Sequence, residues 1–180
     1  MADIRIQAKK YLGQNFLKNT DILKKIIWGI DLRGQNIVEV WPGPGDLTQV
    51  LQDQKPASIT LIEIDKDMIP VLQNRFREKD IAIYLIDVLK VNVALGQLSA
   101  TKGIQIYEGE NNLTLPAYHL YGNIPYYITS PIIHHFFYDV SLLPETATFT
   151  MQKEVADRIL ARDKKHSILS VSCHLVAEME

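Results

Sequence analysis

A chain of 180 residues suits one compact domain with a sizeable core, and its 47% hydrophobic and 22% charged residues are ordinary globular composition, which excludes a disordered chain. A formal charge of −2 excludes a chain that is basic overall, and no apolar run of about 18 residues suggests a membrane span. The start, MADIRIQAKK, lacks the apolar core of a secretory signal, and the lone Cys173 can form neither an internal disulfide nor a two-thiol zinc site, so a cytoplasmic protein without a metal is expected.

Residues 1–25 carry Arg5, Lys9, Lys10, Lys18, Lys24 and Lys25 against Asp3 and Asp21, an excess that suits phosphates but equally a solvated helix face. Ile22, Leu23, Ile26 and Ile27 fall at helical spacing, with Asn19 or Thr20 as cap and Asp21 in the first turn. Five strands are expected at 36–40, 58–64, 81–86, 117–121 and 147–151, each followed by a crossover helix. The helices open at 47–51, cover 67–77, begin over 131–138 with proline near the first turn, and take in the MQKEVADRIL segment from Met151. Residues 90–116 read as irregular, with a polar turn at 108–112. Ile168, Val171, Ser172 and Leu175 share a last helical face, after which a further strand is expected. This alternation predicts an α/β, Rossmann-like fold, a mainly parallel sheet with helices on both faces and its final strands missing.

The WPGPG turn after the first strand combines Gly43 and Gly45, which let backbone N–H groups approach a ligand, with Pro42 and Pro44, which stiffen it. Glu63 closes the second strand twenty residues after Gly43, the separation at which an acid reaches ribose hydroxyls, and Asp87 closes the third. No Lys-Ser/Thr pair of a phosphate loop follows, so the ligand is expected to be a nucleoside without phosphates, which points to S-adenosylmethionine. After the fourth strand comes YGNIPYYITSP. The Asn123 side-chain carbonyl and the Ile124 or Pro125 main-chain carbonyl can accept the hydrogens of an adenine amine, and Tyr126 can stack on its ring. Tyr126 and Tyr127 could instead be an aromatic pair packed over the core.

With these motifs the chain resembles the ribosomal RNA adenine N6-dimethyltransferases of the KsgA type, through LGQNFLKN from Leu12, EVWPGPGDLT from Glu39, IEID from Ile62, IDVL from Ile86, GNIPYYITSP from Gly122 and MQKEVADRI from Met151. The resemblance implies a class I methyltransferase that dimethylates two adjacent adenosines near the 3′ end of small-subunit rRNA, with that rRNA as partner. It implies that Asn15 and Leu17 border the methionine part of the cofactor, Gly43 to Gly45 its backbone, Glu63 the ribose, Asp87 with Val88 the adenine, and Asn123, Pro125 and Tyr126 the reacting centre. Gln14 is expected to orient the N-terminal segment, residues 1–30, over the pocket, and Lys153 and Glu154 to support the site.

Two departures stand out. The family continues into further strands and a helical C-terminal domain, so 1–180 is expected to be a truncated catalytic domain that binds RNA weakly and has an open sheet edge. Trp41 stands where the family carries glycine beside the cofactor, and its indole is expected to fill part of the methionine or ribose pocket; an outward-pointing ring is the other possibility. Two competing functions are a large-subunit rRNA adenine methylase and an rRNA-binding assembly factor whose catalysis has lapsed, the latter favoured by Trp41.

Overall fold

Short β-branched runs bounded by turn residues make strands that can be buried on both faces. The computed structural model describes residues 8–97, 102–160, 170–171, 173, 175 and 177–178, with Tyr126 described in its backbone alone. Its strands are Asn36–Val40 (β1), Ser58–Glu63 (β2), Ile81–Leu85 (β3), Asn92–Leu95 (β4), Ile104–Glu108 (β5), Asn112–Leu115 (β6), His119–Asn123 (β7) and Thr146–Thr150 (β8). Six form a wholly parallel sheet in the order β5-β3-β2-β1-β7-β8, while β4 and β6 pair as a separate parallel ribbon. The helices are Thr20–Ile26 (α1), Asp46–Asp53 (α2), Ile69–Arg75 (α3), Thr129–His134 (α4) and Lys153–Ile159 (α5).

Alternation along each strand sends side chains to two cores. Ile37, Ile59, Leu61, Ile81 and Ile83 pack with Leu23 of α1, Leu47 and Leu51 of α2, and Leu72 of α3. Val38, Val40, Ile62, Tyr84 and Leu120 pack with Ile132 of α4 and with Val93, Leu113 and Leu115 of the ribbon. Both faces of the sheet are therefore covered, as a parallel sheet requires. Asn19 caps α1 by accepting from the Asp21 and Ile22 N–H groups at 3.0 and 3.2 Å.

Three strands escape the sequence reading. Residues 90–116 contain β4, β5 and β6, and only a short 3₁₀ turn at Val88–Lys90, not a crossover helix, follows β3 among the described residues. β4 and β6 have four residues each, of which only Val93 in the first and Leu113 and Leu115 in the second are buried, and β5 is an edge strand with exposed Gln105, Ile106 and Glu108; none makes the long apolar run that marks a central strand. The polar turn is correct in place but narrower, at 109–111. The fourth strand runs two residues later than its apolar pattern, ending on Asn123 because that residue still pairs with Thr150 in the ladder. After α4 the helix widens into a π-helical turn at His135–Asp139. Cys173 is buried with Ile133 and Ile159, a small apolar core residue. Ile168 and Ser172 lie outside the described residues.

Candidate functional site

The strand order reverses beside β1, and a parallel sheet opens a crevice there at its carboxyl edge. Trp41 to Gly45 follow β1, Glu63 ends β2, Asp87 follows β3 and Asn123 ends β7, so the marked residues after the N-terminal segment gather at one edge. The turn needs its glycines. Gly43 and Gly45 have φ of 54° and 86°, and a Cβ on Gly45 would stand 2.5 Å from the Phe76 ring. Arg75 anchors the turn from below, donating to the Pro44 carbonyl and to Asp46, both at 2.8 Å.

Two buried carboxyls lie under the turn. Glu63 accepts from the Gly43 N–H at 3.1 Å, Ile64 N–H at 2.9 Å and Asp65 N–H at 2.8 Å, so its carboxylate ties the turn to β2. Burial nevertheless pushes its pKa up to about 7, against those hydrogen bonds. Glu39, which carries no role in the sequence reading, accepts the Thr48 hydroxyl at 2.7 Å, and burial raises it to about 8. Its signal was a lone acid inside the apolar run IVEV. An unfolded glutamate ionises near 4.5, so the folded chain holds a proton on Glu39 that the unfolded chain releases, and stability falls as pH rises from about 4.5 to about 8. Each pH unit across that window costs the fold roughly 1.4 kcal/mol through Glu39. Thermal melts at pH 5.5 and 8 are expected to show a smaller loss for Glu39→Gln than for the natural chain; Glu63 keeps part of the slope in both, and equal losses would refute the role.

Residues 9–19 cross this edge as a strap. Lys9 reaches Asp65 at 2.5 Å and Asp67 at 2.6 Å. Gln14 donates to Asp65 at 2.8 Å and accepts from the Lys9 N–H at 2.9 Å, which ties the strap to the end of β2. Hydrogen bonds to Asp65 and Asp67 raise the Lys9 pKa, and burial of Asp65 is outweighed by its bonds from Lys9 and Gln14, which hold that carboxyl below its ordinary value. The Asn123 amide donates to the Asn15 carbonyl at 2.7 Å, and the Tyr127 hydroxyl to the Leu12 carbonyl at 3.2 Å. No sequence signal pairs Lys9 with acids 56 and 58 residues away. Because the latch is ionic and partly exposed, Lys9→Ala is expected to quicken amide exchange at 12–14 severalfold without changing β1, and added salt is expected to act likewise on the natural chain. Exchange mass spectrometry checks this.

Asn15, Leu17, Trp41, Gly43, Glu63, Asn123 and Pro125 line two adjoining cavities of about 30 Å³ each, together with Phe16 and Glu39. Asp87 and Val88 stand beyond them at the end of β3, Asp87 accepting the Leu89 N–H at 3.1 Å and Val88 buried in the core. Gly45 lies below, against Phe76 and Leu72. The Tyr126 ring lies outside the described residues. The Asn123 carbonyl accepts the Thr150 hydroxyl at 2.7 Å, and the Pro125 carbonyl accepts the Ile128 N–H and Thr129 hydroxyl at 3.2 and 3.3 Å. Trp41 lines both cavities, half-buried, with φ of 54°, while its N–H extends the ladder to Ile62. The indole thus lies at the site. Among the described residues no cluster of His, Cys, Asp and Glu could hold a metal ion, and no helix is long and apolar enough to cross a membrane.

The profile of the family described as "Ribosomal RNA adenine dimethylase" matches residues 5–180. The chain belongs to that family. It is 35% identical over 173 residues to "Ribosomal RNA small subunit methyltransferase A" of Mesomycoplasma hyopneumoniae (strain 232), covering 95% of this chain and 59% of the relative. The protein of the same description from Aliarcobacter butzleri (strain RM4018) is 36% identical, covering 96% and 60%. The counterpart from Streptococcus pneumoniae serotype 2 (strain D39 / NCTC 7466) is 37% identical, covering 91% and 53%. The chain therefore spans 53–60% of the length of these relatives. Among solved structures it is similar to the 23S rRNA methyltransferase ErmE, with a TM-score of 0.66 and 26% identity over 87% of this chain and 56% of that one. A dimethyladenosine transferase from Plasmodium falciparum shares the fold, with a TM-score of 0.64 and 24% identity over 89% and 52%.

Proposed function

We propose that this chain is the catalytic part of a cytoplasmic S-adenosylmethionine-dependent enzyme that transfers methyl groups to the N6 amines of two adjacent adenosines near the 3′ end of small-subunit (16S) rRNA, within the ribosomal subunit precursor. The observation that carries this reading is the meeting of the Gly43–Gly45 turn, Glu63 and the Asn123–Pro125 loop at one carboxyl edge beneath the strap.

The donor set suits that cofactor. Three N–H bonds leave Glu63 capacity for a ribose hydroxyl, and Asp87, which accepts the Leu89 N–H, keeps capacity toward adenine. Val88 is buried, so its main chain is what it offers. Asn15 and Leu17 would border the methionine end. The cofactor supplies a sulfonium methyl as electrophile. The chain's own residues orient the amine: the Asn123 carbonyl, held by Thr150, keeps one lone pair for an amine hydrogen, and with Pro125 doubly bonded the Ile124 carbonyl is the better second acceptor. Held so, the amine's lone pair turns out of ring conjugation, and rate comes from positioning and electrostatics. Tyr126 would stack on the base, and Pro125, with φ of −59° and ψ of 142°, stiffens the approach to it.

Labelled methyl transfer to unmethylated small subunits, by the chain extended to the length of its relatives, tests the reading. Dimethylated adenosines in adjacent positions are expected, with large subunits unlabelled. No label from either the natural chain or its Trp41→Gly variant would overturn it.

A further inference from the structure

The strap has two faces. Inward, Lys9 and Gln14 latch to Asp65, Lys9 also to Asp67, and Phe16 and Leu17 line the cavity beside the turn. Outward, Lys10, Tyr11, Asn15 and Lys18 are exposed, Tyr11 by 77%. Beside it stands Tyr127, 50% exposed, whose hydroxyl reaches the carbonyl of Leu12, the residue next to Tyr11. A single exposed apolar side chain is ordinary. Two rings on one rim, one of them two residues past the Asn123–Pro125 loop, are not scattered in that way.

We infer that Tyr11 and Tyr127, with Lys10 and Lys18, form a landing surface for the unpaired RNA nucleotides on either side of the target adenosine; this rests on the functional reading above. An enzyme that works on a base amine takes the base out of its stack, which strips the flanking bases of a neighbour. A tyrosine ring replaces that neighbour whatever the base, because every base has a π-face. The cations fit the same strand. Lys9 is held by two carboxylates, whereas Lys10, Lys18 and Lys24 enter no ion pair among the described residues and are open to phosphates.

The test is binding of an unpaired RNA oligonucleotide, with two adjacent adenosines flanked by 2-aminopurine, to the whole chain at low fixed salt. Tyr11→Ala and Tyr127→Ala are each expected to weaken binding about fivefold or more and to relieve quenching of the 2-aminopurine. Tyr11→Phe and Tyr127→Phe are expected to bind within about twofold of the natural chain, because the ring is kept; the latter also removes the bond to Leu12, separating stacking from strap anchoring. Tyr11 is the safer position, since its exposed ring holds no core together. Alanine variants that bind normally, phenylalanine variants that lose as much as alanine, or a natural chain that binds no such RNA would each overturn the surface. Calorimetry with S-adenosylmethionine on Tyr11→Ala should be unchanged. Failure of the natural chain to bind that cofactor, with ring-dependent RNA binding intact, would fall on the functional reading and not on this surface.

Discussion

Replacing Trp41 with glycine is expected to tighten S-adenosylmethionine binding roughly 30-fold. Ligand pockets for molecules of this size run to about 300–1,000 Å³, whereas the two cavities that Trp41 lines hold about 30 Å³ each, room for about one water apiece. On the proposed reading the cofactor and the indole compete for this crevice, and the ring has to leave the apolar cluster it packs against. An aromatic side chain buries about 150–250 Å² in full, and exposing roughly 80 Å² of the indole as it moves aside costs, at about 25 cal/mol per Å², about 2 kcal/mol. That is the stated factor in affinity. Glycine also removes the strain of a bulky residue at φ of 54°, of order 1–3 kcal/mol, so the fold should tolerate the change despite the lost packing. Calorimetry on the natural chain and Trp41→Gly decides it, and equal affinities would mean that the indole swings clear at no cost.

Asn123→Ala is expected to lower kcat by about 10²–10³, the usual loss when one preorganised group at a reacting centre is removed. The side chain joins three parts of the site: its amide holds the strap at Asn15, its carbonyl is held by Thr150, and the residue lines the crevice. The variants separate these parts. Asn123→Asp keeps an acceptor but sets a carboxylate against the Asn15 carbonyl, so it should loosen the strap and raise the cofactor KM more than it lowers kcat. Thr150→Val leaves the amide in place without its orienting hydroxyl and should cost kcat about tenfold, in line with one neutral hydrogen bond. Steady-state kinetics on unmethylated small subunits reads all three, and an Asn123→Ala enzyme with kcat near that of the natural chain would remove Asn123 from the chemistry.

Local pattern made some features plain. The central strands β1, β2 and β3 are buried on both faces and write themselves as apolar runs, and Asn19 announces the start of α1 through its cap. Glycines at positive φ and acids at strand ends marked the crevice, because such residues are needed where a backbone turns sharply against a ligand. Residues 90–116 hid three strands. Their apolar content is divided between an edge strand and a four-residue ribbon that is stable only against the neighbouring core of Tyr118, Leu120 and Phe136.

By itself the sequence determined the parallel α/β architecture and the family motifs and pointed to most residues of this edge, though not to Phe16 or Glu39, since periodicity and residue chemistry are local. Tertiary structure alone decided what each side chain meets there. Lys9 finds Asp65 and Asp67, Asn123 finds Asn15 and Thr150, Glu39 finds Thr48 beneath the turn, and Trp41 shares two cavities with Phe16 and Asn123. Apart from Glu39 and Thr48, these partners are separated by long stretches of chain, and only the packing of strap, turn and sheet edge brings them within bonding distance. Whether an indole fills a pocket or leaves it depends on that packing, which no local run of residues encodes.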